Sequence, residues 1–413
     1  MLNRRDVLKL AALAPATAAS ASVLAREALA APGGQKPEIR RYRTLGRTGQ
    51  RVSDLSLGGG NLSGPKVVAR ALQIGVTYID TAPDYNDSEK IIGLGWKRSG
   101  VARDKFHITS KFCRPGSYPK HVKLGTPKEE LIRLVEASLK RLQTDYLDNV
   151  FVHALGERGP KDIARLKDPE ILAAAEQLKK DGKIRFLGCS SHGPHKPIEC
   201  LKHAIESGQY DVIMAAYNLY AWKGLEEVLR LAHEKGVGVI AMKTLRGARQ
   251  ARQKGVLPKG NFAHAAFKWV WSNENVAGLV VTIEGVGKLE RYAQASGATL
   301  AYRERRELER LVAATSGSVC RIGCGDCLGR CPKGVQIPTV LRADMYYTDY
   351  ADLPKAIGEY GDLTEIGASA ASCATCSEES CLGACPYGVA IRDHLVAAHE
   401  RLAFAWNGAV RRA

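Results

Sequence analysis

Between about Arg43 and Gly297, short apolar runs alternate with amphipathic stretches. The runs are Ser53–Gly59, Thr77–Thr81, Phe106–Lys111, Leu147–His153, Ile184–Ser190, Asp211–Asn218, Val237–Lys243 and Gly278–Ile283. Each has strand length, and helical periods such as Pro127–Leu142, Glu170–Lys180 and Leu225–Lys235 lie between them. Eight strand–helix units predict an α/β fold, a (β/α)8 TIM barrel over residues 40–300. A doubly wound sheet competes with it and would bring a Gly-rich turn after the first strand. The run Gly58-Gly59-Gly60 is a weak match to that turn. Beyond the barrel, Arg303–Ala314 reads as a charged surface helix leading into a smaller domain, residues 301–405. The Tyr-rich stretch Asp344–Gly361 reads as a linker within it.

The first thirty residues have a different pattern. Arg4 and Arg5 precede Val7-Leu8-Lys9, then an Ala-rich apolar stretch to about Leu24, then Ala28-Leu29-Ala30. A basic segment, an apolar segment and a small-x-small cleavage site in that order form a signal peptide. The paired arginines make it similar to a twin-arginine signal, which implies periplasmic or other export of an already folded protein. Residues 1–30 are therefore set apart from the fold.

Composition narrows the class. The chain has 413 residues, 45% hydrophobic and 25% charged, which excludes a disordered or collagen-like protein. No apolar run is long enough for an ordinary membrane span. The formal charge of +17 is scattered through helical segments and not interleaved with aromatics, so nucleic acid is not the expected partner.

A barrel places its chemistry at the C-terminal ends of its strands. Those ends carry Asp80 and Tyr85, Lys111, His153, the run Ser190-Ser191-His192, and Tyr217-Asn218. The segments Asp80-Thr-Ala-Pro-Asp-Tyr85-Asn-Asp-Ser-Glu89, Ile108-Thr-Ser-Lys111 and Phe151-Val-His153 resemble the active-site segments of the aldo–keto reductases. Gly188-Cys-Ser-Ser-His192 and Ala216-Tyr217-Asn218 resemble that superfamily's cofactor segments. Val239-Ile-Ala-Met-Lys-Thr-Leu245 is similar to its iron–sulfur-bearing branch.

The resemblance implies carbonyl–alcohol interconversion with NADP(H) or NAD(H). Tyr85 would be the acid–base, with Lys111 lowering its pKa, Asp80 holding Lys111, and His153 orienting the substrate oxygen. The implied cofactor contacts are Gly59, Ser190, Ser191, Met214, Tyr217, Lys243 and Leu245, with Tyr217 stacking on the nicotinamide ring. Two of them depart from the family pattern: Ser191 stands where Asn is usual and Met214 where Gln is usual. Glu284-Gly-Val-Gly-Lys288 lacks a strong 2′-phosphate signature, leaving NADP and NAD both open. The basic loop Arg246–Lys259 reads either as a pyrophosphate clamp or as a solvated loop.

Eight of the eleven cysteines fall into two groups. They are Cys320-x3-Cys324-x2-Cys327-x3-Cys331-Pro332 and Cys373-x2-Cys376-x4-Cys381-x3-Cys385-Pro386. Gly-Val-x-Ile follows each Cys-Pro pair, ending at Ile337 and Ile391. These groups resemble bacterial ferredoxin motifs that hold 4Fe–4S clusters, and imply a ferredoxin-like C-terminal domain with two of them. In that plan the fourth cysteine of each motif serves the other cluster. Cys320, Cys324, Cys327 and Cys385 would hold one cluster, and Cys373, Cys376, Cys381 and Cys331 the other. Two four-cysteine zinc knuckles are the alternative. Cys113, Cys189 and Cys200 read as small buried side chains.

Free nicotinamide nucleotides are not expected outside the cytoplasm. An exported enzyme would therefore carry its nucleotide tightly bound, with the clusters relaying electrons to a partner protein or quinone system. The competing class is a non-enzymatic iron–sulfur electron carrier that uses the barrel as a binding scaffold.

Overall fold

The computed structural model describes residues 36–157, 159–222, 224–255 and 262–410. The expected leader, residues 1–30, lies outside these, as do residues 256–259 of the basic loop.

A hairpin of β1 (Tyr42–Thr44) and β2 (Arg51–Ser53) comes first. Eight strands then close a parallel barrel: β3 (Leu55–Gly58), β4 (Tyr78–Asp80), β5 (His107–Lys111), β6 (Leu147–Leu155), β7 (Ile184–Ser191), β8 (Val212–Ala216), β9 (Gly238–Met242) and β10 (Gly278–Thr282). Their order is the chain order, and β10 closes onto β3. All eight predicted strands are present, within a few residues at each end. The outer layer is α1 (Pro65–Gln73), α2 (Ser88–Ser99), α3 (Lys128–Leu142), α4 (Pro169–Lys180), α5 (Pro197–Glu206), α6 (Leu225–Glu234), the short α7 (Ala248–Gln253), α8 (Phe262–Trp271) and α9 (Val286–Ala293). Local signals set these helices. Asp168 caps α4 by accepting from the Glu170 amide, and Pro169 takes the first position, where no amide hydrogen is needed.

Side chains alternate across each strand. Tyr78, Phe151, Val212, Met214, Ile240 and Val280 fill the barrel, and Leu45 and Val52 of the hairpin join them from below. Gly188 makes room for Phe151, because a Cβ there would lie 2.3 Å from the ring. The opposite strand faces pack under the helices, with Ile213, Ala215 and Tyr217 on β8 and the residue beyond it.

From residue 301 onward the regular elements are helices joined by loops; among the described residues no strand follows β10. The helices are α10 (Tyr302–Thr315), α11 (Ile337–Thr348), α12 (Leu353–Glu365) and α13 (Ile391–Val410). The charged helix expected at Arg303–Ala314 is α10, and its apolar edge, Leu308 and Leu311, packs with Phe262 and Ala265 of α8. The stretch read as a linker, Asp344–Gly361, instead spans the end of α11 and most of α12. Met345, Tyr346, Ile357 and Tyr360 lie buried at helical spacing, so the tyrosines are core residues and not linker residues. Each cysteine group occupies a turn-rich loop, and each Gly-Val-x-Ile repeat delivers its Ile to the first residue of a helix. Ile337 and Ile391 are both buried there in the tail's own core. Among the described residues no helix is long and apolar enough to cross a membrane.

Candidate active site at the barrel mouth

Asp80 ends β4, Lys111 ends β5 and His153 lies near the end of β6, so the barrel delivers all three to one face. Tyr85 follows in the loop after β4. The Lys111 ammonium donates to Asp80 Oδ1 at 2.6 Å and to the Thr81 carbonyl at 2.7 Å. The Tyr85 hydroxyl and His153 Nε2 are hydrogen-bonded at 3.1 Å. The ammonium sits 5.0 Å from the centre of the Tyr85 ring, which links the two pairs. The four residues therefore converge as expected.

One expectation about them is corrected. The Tyr85 pKa is raised and not lowered. Burial of the hydroxyl end raises it well above the usual phenol value, and the Asp80 and Asp84 carboxylates raise it further. Tyr85 is thus a neutral proton donor near pH 7. Burial likewise holds His153 well below the usual histidine range, as a neutral imidazole.

A β-bulge aims His153. The β6–β7 register shifts between Val152 and Leu155, and Ala154 takes a left-handed φ of 51°. The Ala154 amide donates to Ser190 Oγ at 2.9 Å, and Arg165 donates to the His153 carbonyl at 2.9 Å.

The residues expected to hold a nicotinamide nucleotide are otherwise engaged. Ser190 pins the bulge, and Ser191 donates to the Leu155 carbonyl at 3.1 Å. Met214 is a barrel-filling core residue. Tyr217 does not face the mouth. Strand parity turns it outward, where its hydroxyl donates to Glu226 at 2.7 Å and its ring lies 5.0 Å from that of Trp269. Leu245 packs between barrel and helices. Gly59 abuts the Asp80 carbonyl, which a Cβ would approach to 2.7 Å. Lys243 reaches the mouth through a left-handed φ of 55°, and donates to the Tyr346 hydroxyl at 2.6 Å. Burial lowers its pKa to about 7. Arg246 is not a free pyrophosphate clamp: it is buried, paired with Asp349, and donates to the Cys320 carbonyl at 3.1 Å.

These partners show what closes the mouth. The tail is seated on it. Arg342 of α11 pairs with Glu157 at 3.0 Å and with Glu359 at 3.2 Å. The Lys355 ammonium lies 3.9 Å from the Tyr118 ring centre and 4.3 Å from that of Tyr346. Burial alone would push the Glu157 carboxyl up, but Arg342 and His192 together hold it well below the usual range. With the tail in place, these side chains are engaged by one another across the mouth. A surface cleft of about 780 Å³ between the starts of α3 and α4 contains none of the four converging residues.

Sequence reasoning missed the tail's Arg342, Tyr346 and Asp349, which approach the barrel only in three dimensions. It also missed Asp84, Tyr118, His121 and Glu157. Asp84 stood inside a quoted segment, one residue before Tyr85, and was the one legible signal.

A family model for the aldo/keto reductase family matches residues 63–303. The chain belongs to that family, and it is an oxidoreductase of the aldo/keto reductase type. Among curated proteins, Aldo-keto reductase AFTS1 of Alternaria alternata is 26% identical over 67% of this chain and 92% of its own length. The uncharacterized oxidoreductase YrpG of Bacillus subtilis is 30% identical over 50% of this chain and 67% of its own. Among solved structures, aldo-keto reductase AKR11C1 from Bacillus halodurans, in its holo form, is 24% identical with a TM-score of 0.52, covering 66% of this chain and 96% of that one. That likeness supports the barrel fold.

Proposed function

We propose that this chain is an exported oxidoreductase that interconverts a small-molecule carbonyl and its alcohol, with Tyr85 as acid–base. In this reading the tail carries two 4Fe–4S clusters and exchanges electrons with a partner protein or quinone system. The observation that carries the reaction is the Tyr85–His153 contact at 3.1 Å with the Lys111–Asp80 pair beneath it. In the reducing direction a bound nicotinamide nucleotide would supply the hydride to the carbonyl carbon and be oxidised, and the carbonyl oxygen would take the Tyr85 proton. A neutral phenol is the form that can give that proton, and neutral His153 orients the same oxygen. Lys111 and Asp80 hold the floor of the site with their charges balanced.

Nicotinamide hydride transfer is the family's chemistry. Here the seated tail commits the nucleotide positions, so nucleotide entry goes with release of the Arg246–Asp349 seam. The leader with Arg4 and Arg5 supports export of the folded, loaded chain.

The tail's donor set fits the clusters. Cys385 acts on Cys320 and Cys327, and Cys320 on Cys324. Cys331, Cys376 and Cys381 all act on Cys373. These are the two mixed sets that the ferredoxin resemblance implies. Among the described residues, no three cysteine sulfurs lie within 4.8 Å of one another. Bound clusters would supply one-electron transfer. The Cys320 loop is the one against the barrel, through the Arg246 contact and through Gly325, where a Cβ would lie 2.2 Å from the Pro194 carbonyl oxygen.

Tyr85→Phe tests the reaction. Turnover should fall by about 10²–10⁴-fold, the usual contribution of a positioned proton donor, with the melting temperature unchanged. Normal turnover in that variant would remove Tyr85 from the role.

A further inference from the structure

Three side chains beside Tyr85 have no part in the reaction as described, or only half of one. Asp84 follows β4, His121 lies in the loop after β5, and His153 is on β6. Asp84 is 0% exposed, His153 1% and His121 4%. One ligand atom from each lies within 4.8 Å of the other two. His153 Nδ1 is 3.6 Å from Asp84 Oδ1, and His121 Nε2 is 4.0 Å from Asp84 Oδ2. Both separations are too long for hydrogen bonds. They match atoms arranged around a shared point more than atoms bonded to one another.

A second observation points the same way. Asp84 Oδ1 is buried and makes no hydrogen bond of normal geometry, the weak Cys113 thiol being the side-chain donor that bears on the carboxylate. Leaving a buried carboxylate oxygen unsatisfied is costly. The group is also held in place. The Lys120 amide donates to Asp84 Oδ2 at 3.0 Å, and a β-bridge ties Cys113 to His121. His153 Nε2 meets the Tyr85 hydroxyl, so its Nδ1 is the nitrogen turned to Asp84.

We propose that Asp84, His121 and His153 form a binding site for one borderline divalent cation of the zinc class, adjacent to the Tyr85 hydroxyl. Two imidazoles and one carboxylate are a donor set for Zn²⁺ or Fe²⁺, and three protein ligands leave a position open. Ligand atoms about 2.1 Å from a tetrahedral ion are about 3.4 Å apart. The 3.6 Å from His153 to Asp84 Oδ1 and the 4.0 Å from His121 to Asp84 Oδ2, one to each carboxylate oxygen, are within an ångström of that, and one ligand atom of each of the three residues lies within 4.8 Å of the other two. The open position would face the substrate side, where the ion would polarise an oxygen ligand. Binding at Nδ1 would fix the proton of His153 on Nε2, and Tyr85 would be that proton's acceptor. Cys113 Sγ, 3.2 Å from His153 Nδ1, is the hydrogen-bond partner that this nitrogen would give up to the ion. The proposal stands on this geometry and does not depend on the carbonyl chemistry above.

The test needs no turnover. Full-length protein with its clusters is loaded with zinc alone, then measured by elemental analysis, calorimetry and X-ray absorption at the zinc edge. One zinc per chain in a mainly nitrogen–oxygen shell with two imidazoles is expected. Asp84→Asn and His121→Ala should each weaken binding at least tenfold while iron content and melting temperature hold. A sulfur-dominated shell, no stoichiometric zinc, or unchanged affinity in the folded variants would overturn the site. Should either variant fail to fold, the wild-type absorption spectrum alone decides. Loss of activity in Tyr85→Phe with zinc binding intact would keep the two proposals separate.

Discussion

The two halves of the barrel mouth differ in what their strands deliver. From β4 to β6 the strand ends present Asp80, Lys111 and His153 to the mouth, and they meet Tyr85. From β7 to β9 the strand ends present groups that are already bound: Ser190 to the bulge, Lys243 to Tyr346, Arg246 to Asp349. Both halves are buried and polar. One keeps its hydrogen-bonding capacity for a substrate, while the other commits it to the β6 bulge and to the protein's own tail. A motif can therefore name the residue types at a mouth without naming their partners. The two lysines show the contrast most clearly. Lys111 rests on a carboxylate, whereas Lys243 has no carboxylate at contact distance among the described residues and bonds a phenol directly.

The most forceful way to break this contrast is to release the tail. Arg246 and Asp349 are buried partners, with side chains 6% and 0% exposed. Removing one member of a buried pair strands the other charge, at about 3–5 kcal/mol. Arg246→Met should therefore lift the tail from β9 without unfolding the barrel. Amide hydrogen exchange in α11 should rise by orders of magnitude, while the barrel strands keep their protection. Nicotinamide nucleotide affinity, read by calorimetry, should rise at least tenfold. Unchanged exchange and affinity would mean that the cofactor half is closed by something other than this seam.

Acid should act on the same half more gently. Burial depresses His192 to about 4 despite the Glu157 carboxylate beside it. The unfolded chain binds that proton near pH 6.5 and the folded chain does not. Stability should therefore be intact above about pH 6.5 and decline as pH falls toward 4, by about 3 kcal/mol from this group. His153, depressed in the same direction, adds to the loss. Urea denaturation at a series of pH values measures it. In Arg246→Met the His192 resonance should titrate closer to 6.5, because the tail no longer covers it. A His192 that titrates near 6.5 in the intact protein would remove the tail as the source of its burial.

How much of this the chain displays in advance follows from range. The barrel strands are local apolar runs, and each was legible because its pattern is complete within a few residues. The quartet was legible because strand-end positions in a barrel converge whatever lies between them. Tyr217 was misplaced because Val212, Met214 and Ala216 take the inner face of β8, and parity then sends Tyr217 outward. The stretch Asp344–Gly361 reads as a linker because its glycines and tyrosines obscure the helical period. Its apolar face is completed only by packing against α13 and the cysteine loops. The seam contacts join residues about a hundred positions apart, and no periodicity reports them.

The finest test of the comparison concerns Tyr217 alone. If it lies outside the barrel, its hydroxyl is a structural donor to Glu226 and an acceptor from Asn273 at 3.1 Å. Tyr217→Phe should then cost about 1 kcal/mol, the typical net worth of such a bond, in urea denaturation. Tyr217→Leu removes the ring but keeps apolar bulk beneath α8. Made in the Arg246→Met background, where the mouth is open, it should leave nucleotide affinity within twofold, since no ring of Tyr217 reaches the mouth. A tenfold loss of nucleotide affinity there would instead put the aromatic face against the nicotinamide. The cofactor half would then differ from the substrate half only by the presence of the tail, and not by the direction in which its strand ends point.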